Sequence, residues 1–171
     1  MIILNCGITM QDSEVLKPCV MDKNSAEFKR TGEFHTGLDI VAENTNSVYR
    51  GRVVYIGNED SGRTVVIQTG SSFCVCYKRL KTVNVTLNDL IEERCFIGIA
   101  DKYVHVEVYL KDKSDWPVRI GSETWYKADA NLLIQGGLQS LADCAYQQNY
   151  TDFNTSVTET VMNNLTDNEE V

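Results

Sequence analysis

The sequence predicts a mainly β domain followed by a short helical or irregular C-terminal extension. Between about residue 38 and residue 110, short β-branched and aromatic runs recur, separated by turn residues. The connecting stretches Gly57-Asn58-Glu59-Asp60-Ser61-Gly62 and Gly70-Ser71-Ser72 have hairpin composition, with glycine supplying positive φ angles. Charge marks the end of the domain. All 16 Lys and Arg lie at or before Lys127, and 7 of the 24 acids lie after it, so residues 128–171 carry −7 of the net −8.

Taken in order, the runs are Val53-Val54-Tyr55-Ile56, Thr64-Val65-Val66-Ile67-Gln68, Phe73-Cys74-Val75-Cys76-Tyr77, Val83-Asn84-Val85-Thr86-Leu87 and Tyr103 to Leu110. Strands this close along the chain favour antiparallel neighbours. After Trp116-Pro117 the pattern changes. Asp129 is placed to cap a helix through Leu132-Leu133-Ile134, which Gly136-Gly137 would break. Val157, Val161 and Leu165 fall on one helical face and suggest either a docking helix or part of a solvated tail. The expected division is a β domain over 1–127 and an acidic extension over 128–171.

A chain of 171 residues with 43% hydrophobic and 23% charged residues fits one globular domain with a modest appendage. With 2 Pro and 11 Gly it is neither collagen-like nor low-complexity. No apolar run approaches the roughly 18 to 20 residues of a membrane span. The first six residues, Met1-Ile2-Ile3-Leu4-Asn5-Cys6, lack a basic start, a long apolar stretch and a cleavage site. The expectation is synthesis in the cytoplasm without a secretory signal. Neither the nearly neutral first 127 residues nor the acidic remainder offers a basic face for phosphate, which argues against nucleic acid.

Cys6, Cys19, Cys74, Cys76, Cys95 and Cys144 read as mostly buried, reduced thiols, because a chain of this size needs no disulfide framework. Cys-x-x-Cys spacing, which a cysteine-rich zinc site would prefer, is absent. Asn84-Val85-Thr86, Asn149-Tyr150-Thr151, Asn154-Thr155-Ser156 and Asn164-Leu165-Thr166 match the glycosylation pattern, as chance allows in an Asn/Thr-rich chain. Trp116, Trp125 and Tyr126 read as packing residues at a domain edge or as the lining of a ligand groove.

The two histidines are the informative residues. In Tyr103-Val104-His105-Val106-Glu107-Val108 and the following Tyr109, strand alternation puts the valines on one face and Tyr103, His105, Glu107 and Tyr109 on the other. His35 stands in Phe34-His35-Thr36-Gly37-Leu38-Asp39, where a carboxylate follows four residues later.

Here a resemblance enters. His35-x-Gly37-x-Asp39 is followed by Gly51-Arg52-Val53-Val54, Gly57, Gly62, Val65-x-Ile67 and Tyr77-Lys78-Arg79-Leu80, and then by Val83-x-Val85, Asp89-Leu90-Ile91, Ile97-Gly98 and His105-Val106-Glu107-Val108. In that order, over roughly residues 33 to 110, these resemble the lysostaphin and LytM type of zinc endopeptidase. The resemblance implies a duplicated hybrid of packed antiparallel β-sheets. It also implies one Zn²⁺ held by His35, Asp39 and His105, and a peptidoglycan peptide as ligand. Two nitrogens and one oxygen leave a fourth tetrahedral position for water, the pattern of a catalytic zinc site. Gly37 between the first two ligands allows a close backbone approach.

The chain departs from the family pattern at the proton-moving positions. Arg79 stands where relatives have the histidine of Tyr-x-His-Leu, and Tyr103 stands at the first histidine of His-x-His. The loop before that motif is shortened to Ile99-Ala100-Asp101-Lys102. Tyr103, Arg79 and Glu107 are the available substitutes: a phenol to hydrogen-bond a water or an oxyanion, a permanent cation, and a carboxylate to accept a proton or support the site. Losing a general base typically costs about 10² to 10⁴ in rate. Any hydrolysis retained would be that of a zinc metalloendopeptidase acting on peptidoglycan peptides, weak or altered. The alternative is a non-catalytic structural or interaction protein, such as a phage tail or virion component, whose extension docks to a partner. A phage-encoded protein, carried on the virion or released at lysis, fits both readings.

Overall fold

The computed structural model describes residues 3–4, 8–9 and 15–135. Twelve strands and two short helices follow one another: β1 (Ile3–Leu4), β2 (Ile8–Thr9), β3 (Val15–Lys17), α1 (Ala26–Thr31), β4 (Leu38–Val41), β5 (Asn44–Asn46), β6 (Gly51–Glu59), β7 (Gly62–Thr69), β8 (Phe73–Val83), β9 (Leu90–Ile91), β10 (Phe96–Leu110), β11 (Pro117–Ile120), β12 (Glu123–Ala128) and α2 (Leu132–Gln135). The β1–β2 pair stands apart, and the other ten strands form one sheet in which every pairing is antiparallel. The fold is mainly β, as the sequence predicts.

β10 organises that sheet. One edge pairs with β8, which continues through β7 and β6 to β9. Its other edge is shared in turn by β5, against Phe96 to Ile99, by β4, against Tyr103 to Val106, and by β12, against Val108 to Leu110. Alternation along β10 is strict where it matters. Val104, Val106 and Val108 are 0% exposed and join Leu38, Ile40, Val65, Ile67, Tyr77 and Leu80 in the main core. Each buried valine contributes roughly 1.5 kcal/mol or more of apolar transfer. On the opposite face Tyr109 packs with Val66, Cys74, Cys76 and Trp125 in a second, smaller cluster. The polar side chains of β10 therefore sit at the end of an apolar layer, between two packed regions.

The hairpin connections fall where glycine allows them, at Asp60-Ser61 between β6 and β7 and at Gly70 to Ser72 between β7 and β8. One predicted strand is corrected. Of the run Val83–Leu87 only Val83 is in a strand, because β8 runs on to that residue and the chain then turns. Thr86 N and Oγ1 both donate to the Asp89 carboxylate, at 2.9 Å each, and Asn88 takes φ 71°, which closes a turn where the composition suggested a strand. The strands β3, β5 and β9 span only two or three residues, too few to carry a sequence pattern.

At the C-terminal end Asn131 N donates to Asp129 Oδ1 (2.9 Å) and Leu132 N to Asp129 O (3.1 Å), directly before α2. Ala130 and Leu133 are buried in the main core, so the beginning of the acidic extension packs onto the β domain. The expected break at Gly136-Gly137, the stripe Val157, Val161 and Leu165, and Cys6 and Cys144 lie outside the described residues. Among the described residues Cys19, Cys74, Cys76 and Cys95 are free thiols, and no helix is long and apolar enough to cross a membrane.

Candidate metal centre

Asp39 lies on β4 between β3 and β10, paired in register with His105 on one side and with Lys17 on the other. His35 precedes β4 and is held by a two-way backbone bridge to Val20, with N–H···O distances of 2.7 and 2.9 Å. The three side chains converge. His105 Nδ1 is 2.7 Å from Asp39 Oδ1, His35 Nε2 is 3.4 Å from Asp39 Oδ2, and the imidazole centroids are 5.1 Å apart. Each side chain is only 14–17% exposed. Ligand atoms of His35, Asp39 and His105 all lie within 4.8 Å of one another, the only such group of His, Cys, Asp or Glu among the described residues.

The far nitrogen of each imidazole has a hydrogen-bond partner that orients the ring. His35 Nδ1 lies 2.8 Å from the Pro18 carbonyl, which can only accept, so Nδ1 carries the proton and Nε2 presents its lone pair. His105 is flanked by carboxylates on both nitrogens, with Nε2 3.1 Å from Glu107 Oε1 and Nδ1 2.7 Å from Asp39 Oδ1, so Glu107 holds the ring in the orientation that turns Nδ1 toward Asp39. Two imidazoles and one carboxylate gathered within 4.8 Å are the donor set of an open zinc site, and the residues present fit that metal.

Glu107 is 2% exposed and surrounded by donors. Besides His105 it accepts from Tyr109 Oη (2.7 Å) and Lys127 Nζ (3.1 Å), with Thr36 Oγ1 at 3.4 Å and Lys78 Nζ at 3.9 Å. Burial pushes its carboxyl up, but the hydrogen bonds from His105 and Tyr109 and the charges of Lys127 and Lys78 outweigh it and hold the group at about 2. Burial likewise opposes ionisation of Asp39, and the two imidazoles overcome it to keep the carboxylate well below its ordinary range. For His105 burial disfavours the charged form, while hydrogen bonds to Asp39 and Glu107 raise its proton affinity overall.

Gly37 has a steric reason to lack a side chain. A Cβ there would lie 2.6 Å from His105 Nε2 and 2.7 Å from the Val106 carbonyl. The close approach expected from the sequence is therefore to the His105 ring itself.

Arg79 and Tyr103 sit together, one strand repeat along the same face from His105. The guanidinium carbon lies 4.2 Å from the Tyr103 ring centroid. Arg79 occupies a double irregularity. Lys78 pairs with His105 but Leu80 pairs with Ala100, so this one residue spans the excursion over 101–104 on β10, and the β7 register shifts beside it. Its φ is +70°, a left-handed conformation that bulges use to re-aim a side chain. Gly62, at φ +133°, accommodates the fold-back, since a Cβ there would lie 3.1 Å from the Arg79 backbone.

The structure thus gathers His35, Asp39, His105 and Glu107 into one cluster and pairs Arg79 with Tyr103 beside it. Sequence reasoning missed Lys127, Thr36, Tyr109, the Pro18 carbonyl and the Lys78 ammonium as partners of the cluster. Only Tyr109 was signalled, by its place on the polar face two residues beyond Glu107.

Residues 33–114 match the model of peptidase family M23. This segment belongs to that family. The M23 segment holds all three clustered residues, Glu107 and the Arg79–Tyr103 pair. A comparison with curated proteins gives no match. Among solved structures the fold is similar to that of LytU, with 16% identity, a TM-score of 0.55 and coverage of 74% of this chain and 87% of LytU. It is also similar to CbpA from L. salivarius REN, with 19% identity, a TM-score of 0.52 and coverage of 78% and 91%. Lysostaphin aligns at 15% identity and a TM-score of 0.48, and the chain spans 45% of its length. The LytM-like fold expected from the motifs is the fold observed.

Proposed function

We propose that this M23-type domain binds one zinc ion through His35, Asp39 and His105 and takes a peptidoglycan peptide as its ligand, with hydrolysis weak, altered or lost. The observation that carries the first part is the convergence of His35, Asp39 and His105, with ligand atoms within 4.8 Å of one another and each imidazole held on its far nitrogen by a hydrogen-bond partner. When bound, zinc supplies Lewis acidity and lowers the pKa of a coordinated water toward neutrality.

The chain's own residues define what remains of the chemistry. Glu107 is encircled by donors and serves to orient His105, which is a positioning role. Tyr103 and Arg79 stand at the two positions where the family has histidines, and an arginine stabilises negative charge but does not take up a proton at neutral pH. Oxyanion stabilisation by these two groups, without a histidine base, predicts turnover about 10² to 10⁴ below that of a relative with both histidines.

The second reading, a binding or structural module in which the extension over 128–171 docks to a protein partner, is favoured by one observation. The general-base position holds a guanidinium that makes no ion pair among the described residues. Carriage on a phage virion or release at lysis is the setting proposed for either reading.

Zinc content and cleavage of cross-linked peptidoglycan, measured on the same purified full-length protein, test the proposal. Stoichiometric zinc with slow cleavage supports the enzyme, and zinc without cleavage supports the module. Protein that carries no zinc after refolding in its presence overturns the metal reading.

A further inference from the structure

The Arg79 side chain has no role in the fold that accounts for its placement. Its Nε is fully buried without a hydrogen-bond partner. Among the described residues the guanidinium makes no ion pair and no side-chain hydrogen bond, and its one contact of note is the Tyr103 ring at 4.2 Å. Three nearby lysines are matched. Lys78 lies 3.4 Å from Glu59 and 3.9 Å from Glu107, Lys127 bonds Glu107, and Lys81 pairs with Asp101 at 3.1 Å. A guanidinium that is half-buried, stacked on an aromatic face and left with open donors is built to take an anion, and its planar fork matches a carboxylate. A strained left-handed backbone holds it there, in a bulge opposite residues 101–104; the stretch Ile99 to Lys102, expected as a shortened loop, is part of strand β10 instead.

Its position relative to the clustered ligands narrows the choice of anion. Tyr103 and His105 are same-face neighbours in an unbroken register with β4, so they are separated by roughly 7 Å, two residues of strand rise. One residue of an extended peptide covers about 3.5 Å. A peptide whose last carboxylate is held at Arg79 therefore lays a peptide group one or two residues upstream over His105 and Asp39. We infer that Arg79, backed by Tyr103, is a recognition position for the free C-terminal carboxylate of a peptide, so that the site prefers the end of a peptide chain to the interior of a cross-bridge. This inference rests on the peptide-binding reading proposed above and refines its ligand.

The test is a calorimetric titration of the full-length protein with acetyl-D-Ala-D-Ala as free acid and as C-terminal amide, in zinc-loaded and chelator-treated forms whose metal content is measured directly. The acid is expected to bind at least about 10-fold more tightly than the amide in both forms, the discrimination of a charge-assisted bidentate contact. Arg79→Met is expected to erase the preference and Arg79→Lys to keep part of it, with zinc content and circular dichroism unchanged in both.

Equal affinity for acid and amide overturns the inference. So does a preference that survives in Arg79→Met or vanishes only with the zinc, since the carboxylate would then be held by the metal. Inorganic phosphate binding as tightly as the peptide acid would also overturn it, as the site would be a general anion site. If wild-type protein holds no zinc, the metal reading fails by itself, and the acid-over-amide preference still reports on Arg79.

Discussion

Two ends of one short stretch of β10 are built in opposite ways. Around His105, Asp39 and Glu107 every donor faces an acceptor: two imidazoles, two carboxylates, two ammonium groups, a phenol and a backbone carbonyl close on one another. Two residues away, at Tyr103 and Arg79, a cation stands with no counter-charge among the described residues and on a strained backbone. A saturated network in a low-dielectric setting fixes one geometry and resists change, whereas an unmatched group costs free energy that only a ligand recovers. The difference teaches that the cluster around His105 is a finished hydrogen-bonded unit, while the Arg79–Tyr103 pair beside it is left open to a further contact.

Substitutions can break that contrast, beginning with the most severe. His35→Ala removes one of three ligands and is expected to lower zinc affinity by more than about 100-fold, beyond the loss typical of an outer hydrogen-bond partner. Metal analysis after dialysis against a weak chelator reads it. Unchanged metal content would show that the cluster is not the binding site. Gly37→Ala drives a methyl into the His105 ring and the Val106 carbonyl. It is expected to destabilise the protein by about 1–3 kcal/mol, the usual cost of overpacking, and to weaken zinc at least about 10-fold because the ligand itself is displaced. Thermal denaturation with and without zinc separates the two effects.

Glu107→Gln keeps the shape of the side chain but removes its charge. Zinc affinity is expected to fall about 10- to 100-fold, and chelator-treated protein to lose about 3 kcal/mol in a denaturant titration because Lys127 and Lys78 are left facing a neutral group. A smaller step concerns the thiols behind this network. Burial pushes Cys76 up to about 12 and Cys74 further still. A thiol whose pKa is raised on folding contributes stability that is complete below the ordinary value of 9.0 and lost as pH rises toward the folded value. Native protein is therefore expected to leave both thiols unalkylated by iodoacetamide at pH 9 and to weaken between pH 9 and 12. Rapid labelling of either one in folded protein at pH 9 would contradict their burial. At the other end, Arg79→Met is expected to change zinc affinity by less than about 2-fold, and a larger change would merge the two halves into one network.

Much of this was legible in the sequence because β10 writes its geometry in period two. Val104, Val106 and Val108 alternate with Tyr103, His105 and Glu107, and both faces came out as that spacing requires. The convergence of His35, Asp39 and His105 followed from ordered motifs spread over residues 33 to 110 rather than from any local pattern. What stayed hidden depended on long-range pairing. Lys127 reaches Glu107 because β12 docks beside β10, and no signal within Glu123 to Ala128 announces that strand's partner. The Pro18 carbonyl is fixed by the Val20–His35 bridge, a contact between segments with no periodic pattern. The run Val83 to Leu87 has the β-branched composition of a strand, but the Thr86–Asp89 hydrogen bonds favour a turn there.

The valine stripe of β10 guards more than the core. Sliding that strand by a single residue against β4 and β8 would turn three fully buried valines toward the polar side and drive a histidine, a tyrosine and a carboxylate into hydrocarbon. The penalty for such a slip far exceeds the net stability of a small domain. The cluster of His35, Asp39 and His105 and the hydrophobic interior consequently stand or fall as one cooperative unit, whereas Arg79 and Tyr103 can change without disturbing that register.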